Sequence, residues 1–338
     1  MKPNTCVGLE TVTWKCNWSC VHCYFRRFPQ LHSQVDTPLE QLKREIDAGK
    51  ARGCKSVVLC GKGEPTLHKQ IEDIISYIKS VDMYSLIITN GAVGIRLYEK
   101  LYALGLGHLQ ISVHGFGTTL DNISERKGAS AKQRALLEWL HKKELPFRVN
   151  ITMQQLNYHQ IPDITRKVIE LGAFHISLLN FLPHYHPGNN IKDVGVDPLK
   201  LVAPIEQAIE YGDDKVLFTL RYFPMCMLKP KYWKYVTNAQ YVLFDPWEWE
   251  YGHLSTDLDK MWAVASASAA RTGITGAPCN ECLLKLHCGG WNRFYAEAYG
   301  MKGINAVKDV PKNIAATVGR RGGIFDLNPA NKGLDAIK

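Results

Sequence analysis

Six times between Val7 and about Tyr211 a short apolar run is followed by an amphipathic stretch. Strands separated by helical crossovers lie parallel, so this alternation predicts an α/β fold on a parallel sheet. The strand candidates are Leu9 to Thr13, Ser56 to Cys60, Tyr84 to Thr89, His108 to Val113, Phe147 to Met153 and Phe174 to Leu179. Each is too short and too β-branched or aromatic for a helix. Thr37-Pro38-Leu39-Glu40 reads as a capping box with proline in the first turn, Leu39, Leu42 and Ile46 share one face, and Gly53 ends that helix. Ile71, Ile74, Ile75 and Ile78 form a second stripe and Ile161, Ile164, Val168 and Leu171 a third. Asp197-Pro198 opens a further helix carrying Val202, Ile205 and Ile209. These stripes are core packing.

Chemistry in such folds gathers on the loops after the strand C-termini. Cys16, Cys20 and Cys23 follow the first strand, Gly61-Lys62-Gly63-Glu64-Pro65 the second, Asn90-Gly91 the third and His114-Gly115 the fourth. Gln154 and Asn157 follow the fifth, and the stretch from Asn180 to His186 the sixth. Polar groups are therefore expected at one end of the sheet.

The chain has 10 cysteines. Its first fifteen residues lack the basic-then-apolar pattern of a secretory signal. No apolar run approaches the roughly 18 residues of a membrane span. The expected compartment is the cytoplasm, where a disulfide framework is not expected and clustered thiols point to metal or redox chemistry. Cys16-x3-Cys20-x2-Cys23 is one cluster, and Cys279-x2-Cys282-x5-Cys288 is another, with Cys226 upstream as a fourth candidate. Thiolates this close can wrap zinc or an iron-sulfur cluster. Structural zinc closes four ligands, whereas the first group offers three cysteines with His22 the nearest substitute, a set that suits an iron-sulfur cluster with one open iron. Lys+Arg outnumber Asp+Glu by 41 to 32, a net charge of +9 that fits an anionic substrate, nucleic acid or solubility alone.

With these residues in this order the sequence resembles the radical S-adenosylmethionine (SAM) superfamily over roughly residues 7 to 211. The resemblance implies a partial (β/α)6 TIM-type barrel, with Cys16, Cys20 and Cys23 holding a [4Fe-4S] cluster whose fourth iron binds the amino and carboxyl groups of SAM. Reductive cleavage of SAM then yields a 5'-deoxyadenosyl radical that abstracts hydrogen from a C–H bond. Tyr24, the aromatic after the last cysteine, fits the family pattern. Gly61, Gly63, Glu64 and Pro65 form the expected SAM-binding loop, with the glycines allowing close backbone approach. Lys62 stands where that motif usually has a glycine. Asn90, Ser112 and His114 are expected on the SAM side of strands three and four, and Asn150, Thr152 and Asn157 near the nucleoside. A solvated strand end is the bland alternative for each.

The C-terminal cysteines resemble the twitch module, a shortened form of the SPASM module, that follows the barrel in several members. The longer pattern would continue with a cysteine at position 292, which here is Asn292. One auxiliary [4Fe-4S] cluster on Cys226, Cys279, Cys282 and Cys288 is therefore expected, with structural zinc as its alternative. The implied division is a barrel over 1–213, a small α+β auxiliary-cluster domain over 214–300 and a basic C-terminal arm over 301–338.

Cys6, Cys54 and Cys60 are left over, and packing as small hydrophobes is their default. Cys60, directly before the SAM loop, is also a candidate hydrogen-atom donor, as in some epimerases of the superfamily. Asn180, His184 and His186 are candidates for substrate binding, and Arg320 and Arg321 for holding a carboxylate or phosphate. Trp247, Trp249 and Trp291 are expected to pack around the auxiliary cluster or to stack on a substrate ring.

The expected function is radical SAM chemistry on a small polar substrate, with an anionic sugar or nucleoside ranked first, nucleic acid second and a ribosomal peptide close behind. Because the first cluster begins sixteen residues in, the peptide-recognition domain of many peptide-maturing relatives is not expected before it, which lowers the peptide reading without excluding it. An electron donor such as flavodoxin or ferredoxin is implied, and no membrane. A non-catalytic electron carrier or nucleic-acid-binding module is the alternative of another class. It has no use for Gly63-Glu64-Pro65 in register after strand two.

Overall fold

The structure, a computed structural model, describes residues 6–9, 12–23, 25, 35–51, 53–182, 191–236, 273–274, 276–288 and 290–312. Two compact units are present, Met1–Val149 with Leu243–Met261 and Asn150–Val242 with Trp262–Lys338. The main sheet has seven strands in sequence order, β1 to β7.

In the first unit β1 (Cys6–Leu9), β2 (Ser56–Leu59), β3 (Tyr84–Thr89) and β4 (His108–Ser112) are parallel neighbours. The first strand lies upstream of the expected Leu9 to Thr13, because Cys6 to Leu9 is the segment in register with Ser56 to Leu59. Thr13 instead forms an antiparallel bridge with Asp36. Helix α1 (Leu39–Ala51) buries Leu42 and Ile46, and Gly53, at φ +91°, follows it in the left-handed conformation that glycine adopts without steric cost. Helix α2 (Ile71–Ser80) buries all four isoleucines of the expected stripe. Helices α3 (Ile95–Ala103), α4 (Thr118–Ser124) and α5 (Ala129–Lys142) complete the layer up to β5 (Phe147–Met153).

In the second unit α6 (Ile161–Glu170) buries Ile161, Ile164 and Val168 and leads into β6 (Ala173–Asn180). Short α7 (Ile191–Val194) precedes α8 (Pro198–Gly212), which Asp197 caps by accepting from the Leu199 N–H at 3.0 Å. A seventh strand, β7 (Leu217–Arg221), runs parallel to β6 and extends the sheet beyond the six expected units. One face of this pair is polar: His175 Nε2 lies 3.2 Å from Thr219 Oγ1, which donates to Ser177 Oγ at 2.9 Å. Among the described residues beyond β7 are the single-turn helices α9 (Ala277–Asn280) and α10 (Lys285–Cys288), an antiparallel ribbon of β8 (Gly273–Ile274) and β9 (Trp291–Asn292), and α11 (Arg293–Tyr299). Among the described residues no helix is long and apolar enough to cross a membrane.

Candidate functional site

In the first unit the cysteine loop is fastened from two sides. On one side the Ser19 and Val21 N–H groups donate to the carbonyls of Ser124 and Ile123 at the end of α4, at 3.0 and 2.9 Å. Trp18 packs with Ala92, Leu120 and Ala129, and Cys20 rests on that cluster. Cys23 N–H closes a turn on the Cys20 carbonyl at 2.9 Å. On the other side the loop after β2 is laced to residues 13 to 15: Gly63 N–H donates to Thr13 O at 3.0 Å and Glu64 N–H to Lys15 O at 2.6 Å. A Cβ on Gly63 would lie 2.7 Å from the carbonyl carbons of Trp14 and Lys15 and closer still to the Lys15 oxygen. The close approach this glycine permits is therefore to the chain's own backbone. Lys62 places its ammonium 4.3 Å over the Trp14 ring, which occupies the side chain that departs from the motif.

Glu64 is buried and fully engaged. Its Oε1 accepts from Thr66 N–H, Thr66 Oγ1 and Thr89 Oγ1 at 3.2, 2.6 and 2.7 Å, and its Oε2 accepts from Asn90 N–H at 2.7 Å. Burial pushes its carboxyl up from the ordinary range, against the pull of those donors. Pro65 starts the 3-10 turn Pro65–Leu67 that Glu64 caps. Asn90 carries the chain of contacts into the cysteine loop, donating from Nδ2 to Asn17 Oδ1 at 2.7 Å while its Oδ1 accepts from Ala92 N–H. Gln133 on α5 holds Asn90 in turn, donating to the carbonyls of Asn90 and Ser112 at 2.7 and 3.0 Å. Asn17 and Gln133 were not singled out from the sequence. Their only signal was position, and their role depends on contacts 73 and 43 residues away.

Enclosure by protein pushes the Cys16 thiol up to about 12, with Glu64 and Cys23 adding to the rise. A metal ion held there would supply the positive charge that turns such a thiol into a ligand thiolate. His22, between Cys20 and Cys23, meets His114 edge to face at 4.5 Å. His114 is buried, and desolvation followed by the neighbouring His22 holds its pKa well below the usual imidazole range, so it is neutral. Ser112 is half-buried at the end of β4. Cys60 is buried and its thiol donates to the Leu9 carbonyl at 3.4 Å, a packing contact within the sheet. Tyr24, His184, His186, Trp247, Trp249, Arg320 and Arg321 lie outside the described residues.

In the second unit Asn150 and Thr152 are half-buried on β5. Asn157 is engaged with its own turn, accepting from Gln154 N–H at 2.8 Å and donating to Thr152 O at 2.9 Å. Asn180 likewise holds structure: Nδ2 donates to the Tyr222 carbonyl at 3.1 Å and Oδ1 accepts from the buried Tyr295 hydroxyl at 3.1 Å. Tyr222 has a positive φ of 61°, so this bond pins a backbone conformation that a tyrosine rarely adopts.

Cys226, Cys279, Cys282 and Cys288 line one cavity, together with Pro224, Leu284, Lys285, Gly290, Trp291, Ile304 and Asn305. Local turns aim them: Cys226 sits in the 3-10 turn after β7, Cys279 on α9, and Cys288 N–H donates to Leu284 O at 2.8 Å in α10. Desolvation pushes Cys288 up to about 11 and raises Cys226, and both feel the neighbouring thiols. Trp291 is buried on the cavity wall and its indole N–H has no hydrogen-bond partner. Four thiols and an unsatisfied donor around one cavity fit a four-iron cluster, whose sulfurs accept hydrogen bonds. Among the described residues no three His, Cys, Asp or Glu side chains converge as ligands of a single metal ion.

A parallel half-barrel whose first strand is followed by a three-cysteine loop defines a scaffold for cluster-dependent chemistry. Residues 11–168 match the model of the radical SAM superfamily, so the chain carries a radical SAM domain, the domain of an enzyme superfamily that uses SAM and a [4Fe-4S] cluster. It is 28% identical over 176 residues to a PqqA peptide cyclase of Bradyrhizobium diazoefficiens, covering 51% of this chain and 45% of that protein. It is 30% identical over 172 residues to an AdoMet-dependent heme synthase of Methanosarcina barkeri, covering 50% and 49%. The chain thus spans about half the length of the curated relatives it matches. The fold is shared with native anSMEcpe with bound AdoMet and Cp18Cys peptide, at TM-score 0.59, 12% identity and 97% and 99% coverage. It is also shared with Streptococcus suis SuiB, at TM-score 0.54, 19% identity and 64% and 49% coverage.

Proposed function

We propose that this chain is a two-cluster radical SAM enzyme that abstracts hydrogen from a C–H bond of a peptide. The carrying observation is the presence of two separate donor sets, three cysteines in a loop fastened to the Gly63-Glu64 turn and four lining one cavity. When bound, SAM on an open-iron [4Fe-4S] cluster supplies a 5'-deoxyadenosyl radical. Cys16, Cys20 and Cys23 would hold that cluster. Gly63 and Glu64 anchor the backbone that leads into the loop, and Asn90, through Asn17, fixes the loop's inner edge. His114, buried and neutral, presents an uncharged ring to His22. Cys226, Cys279, Cys282 and Cys288 would ligate one auxiliary [4Fe-4S] cluster. The named peptide cyclases among the relatives favour a peptide over the small polar substrate expected from charge. The free thiols of the described residues suit a reducing compartment, which supports the cytoplasm.

Anaerobic reconstitution with iron and sulfide, followed by SAM and dithionite, tests the reading. The expected result is about eight irons per chain with 5'-deoxyadenosine formed, falling to about four irons when Cys279→Ala, Cys282→Ala and Cys288→Ala are combined. Tightly bound zinc with no SAM cleavage would refute it.

A further inference from the structure

The segment after α11 folds back along the four-cysteine cavity. Ile304 N–H donates to Met301 O at 3.1 Å, and Ile304 is buried in the same apolar cluster as Trp291 and Tyr295. Ile304 and Asn305 line the cavity. Val307 is then fixed through both backbone groups: its carbonyl accepts from Leu283 N–H at 2.9 Å, and its N–H donates to Cys282 Sγ at 3.4 Å. Residues 304 to 307 are thus a strap, laid beside Cys282 by a backbone pair and held down by Ile304. The sequence placed these residues in a basic arm separate from the auxiliary site.

An N–H directed at a ligand sulfur stabilises negative charge there. Adding one electron to a cluster increases that charge, so each such bond favours the reduced form and raises the reduction potential. The donor here is a main-chain amide. A side-chain change that keeps the amide preserves the bond, and proline removes it.

We propose that the 304–307 strap tunes the auxiliary cluster, with Val307 N–H acting through Cys282 to raise its one-electron reduction potential. Val307 is a positioning residue in this scheme, touching the sulfur rather than any substrate. The proposal rests on the two-cluster reading given above.

The test uses the full chain with Cys16→Ala, Cys20→Ala and Cys23→Ala combined, reconstituted with iron and sulfide, so that the auxiliary centre alone gives the signal. A potentiometric titration followed by electron paramagnetic resonance reads its midpoint. In that background Val307→Pro is expected to weaken the reduction equilibrium about tenfold, about 59 mV for one electron, while Val307→Ala leaves it unmoved. A second measurement does not need the proline variant to fold. Protein grown on 15N-valine should show a 15N coupling to the reduced cluster by pulsed resonance, and Val307→Ala on the same label should lack it. A background protein that holds no iron removes the two-cluster reading and the proposal with it. Iron retained with no potential difference between the proline and alanine variants, or with no valine coupling, overturns the strap alone.

Discussion

Gly63→Ala is the substitution on which the account of the cysteine loop depends most. The added Cβ would lie 2.7 Å from the Trp14 and Lys15 carbonyl carbons, with the Lys15 oxygen nearer still, whereas ordinary contact begins near 3.4 Å. All three obstacles are backbone, so relief requires moving the turn after β2 away from residues 14 and 15. That movement strains or breaks the bonds from Gly63 N–H to Thr13 O and from Glu64 N–H to Lys15 O. Overpacking costs about 1–3 kcal/mol and each lost bond about 1 kcal/mol, so the expected loss is about 3–5 kcal/mol. Against a typical total of about 5–15 kcal/mol this is a severe lesion. Gly61 in the same turn is the control, because its Cβ would meet nothing nearer than 3.4 Å. Gly61→Ala should stay within about 1 kcal/mol of the parent. Urea unfolding with a fixed m-value measures both, and iron per chain should fall toward the auxiliary centre's complement in Gly63→Ala only. Equal stability and equal iron in the two variants would refute the argument that backbone contact at Gly63 sets the loop.

The buried carboxylate, the asparagine pair and the ion pair at the loop's base each carry a further expectation. Glu64→Gln leaves one of two backbone donors, Thr66 N–H or Asn90 N–H, facing an amide NH2 instead of an oxygen, so a loss of about 1–3 kcal/mol in urea is expected. A double-mutant cycle on Asn17→Ala and Asn90→Ala should return a coupling of about 1 kcal/mol, and zero coupling would show that the 2.7 Å contact carries no weight. Burial pulls the Asp36 carboxyl upward, but hydrogen bonds from Lys15 and Thr13 outweigh it and leave the pKa below the usual carboxylate range. The native state then binds fewer protons than the unfolded chain in acid. The stability Asp36 contributes is present above about pH 4 and drains away as pH falls below that. The gap between parent and Asp36→Asn should accordingly be widest at neutral pH and close in acid, and a gap independent of pH would contradict the assignment.

The helix stripes were legible because periodicity is local: the four isoleucines of α2 and the Asp197 cap of α8 read directly from spacing. Strand one was misplaced because Thr11-Val12-Thr13 has strong β propensity, while pairing is decided by the partner, and β2 is in register with Cys6 to Leu9. The seventh strand lies past Tyr211, where the expected alternation of apolar runs and amphipathic stretches ends. At the site, residue type was legible and role was not. Glu64, Asn90 and Asn157 stand after strands as expected and Asn180 ends β6, and each has its side chain engaged with other parts of the chain. Spacing shows where a polar group lies along the chain, and only tertiary contacts show whether it remains free to meet a ligand.

The two cysteine sets are held by different means. The first loop is secured by main-chain bonds to α4 and to the turn after β2, with Cys16 reaching the surface while the protein packed around it raises its pKa and Cys20 and Cys23 are half-buried. A centre with an open iron requires such a loop, because a second molecule must reach the iron from the front. In the second set four half-buried cysteines line one cavity, an amide N–H reaches Cys282, and Trp291 and Ile304 are buried on the cavity wall. A centre with all its irons ligated gains from enclosure, since fixed donors and exclusion of water set its potential. Adding a donor near Cys282 should alter redox behaviour and leave SAM affinity unchanged.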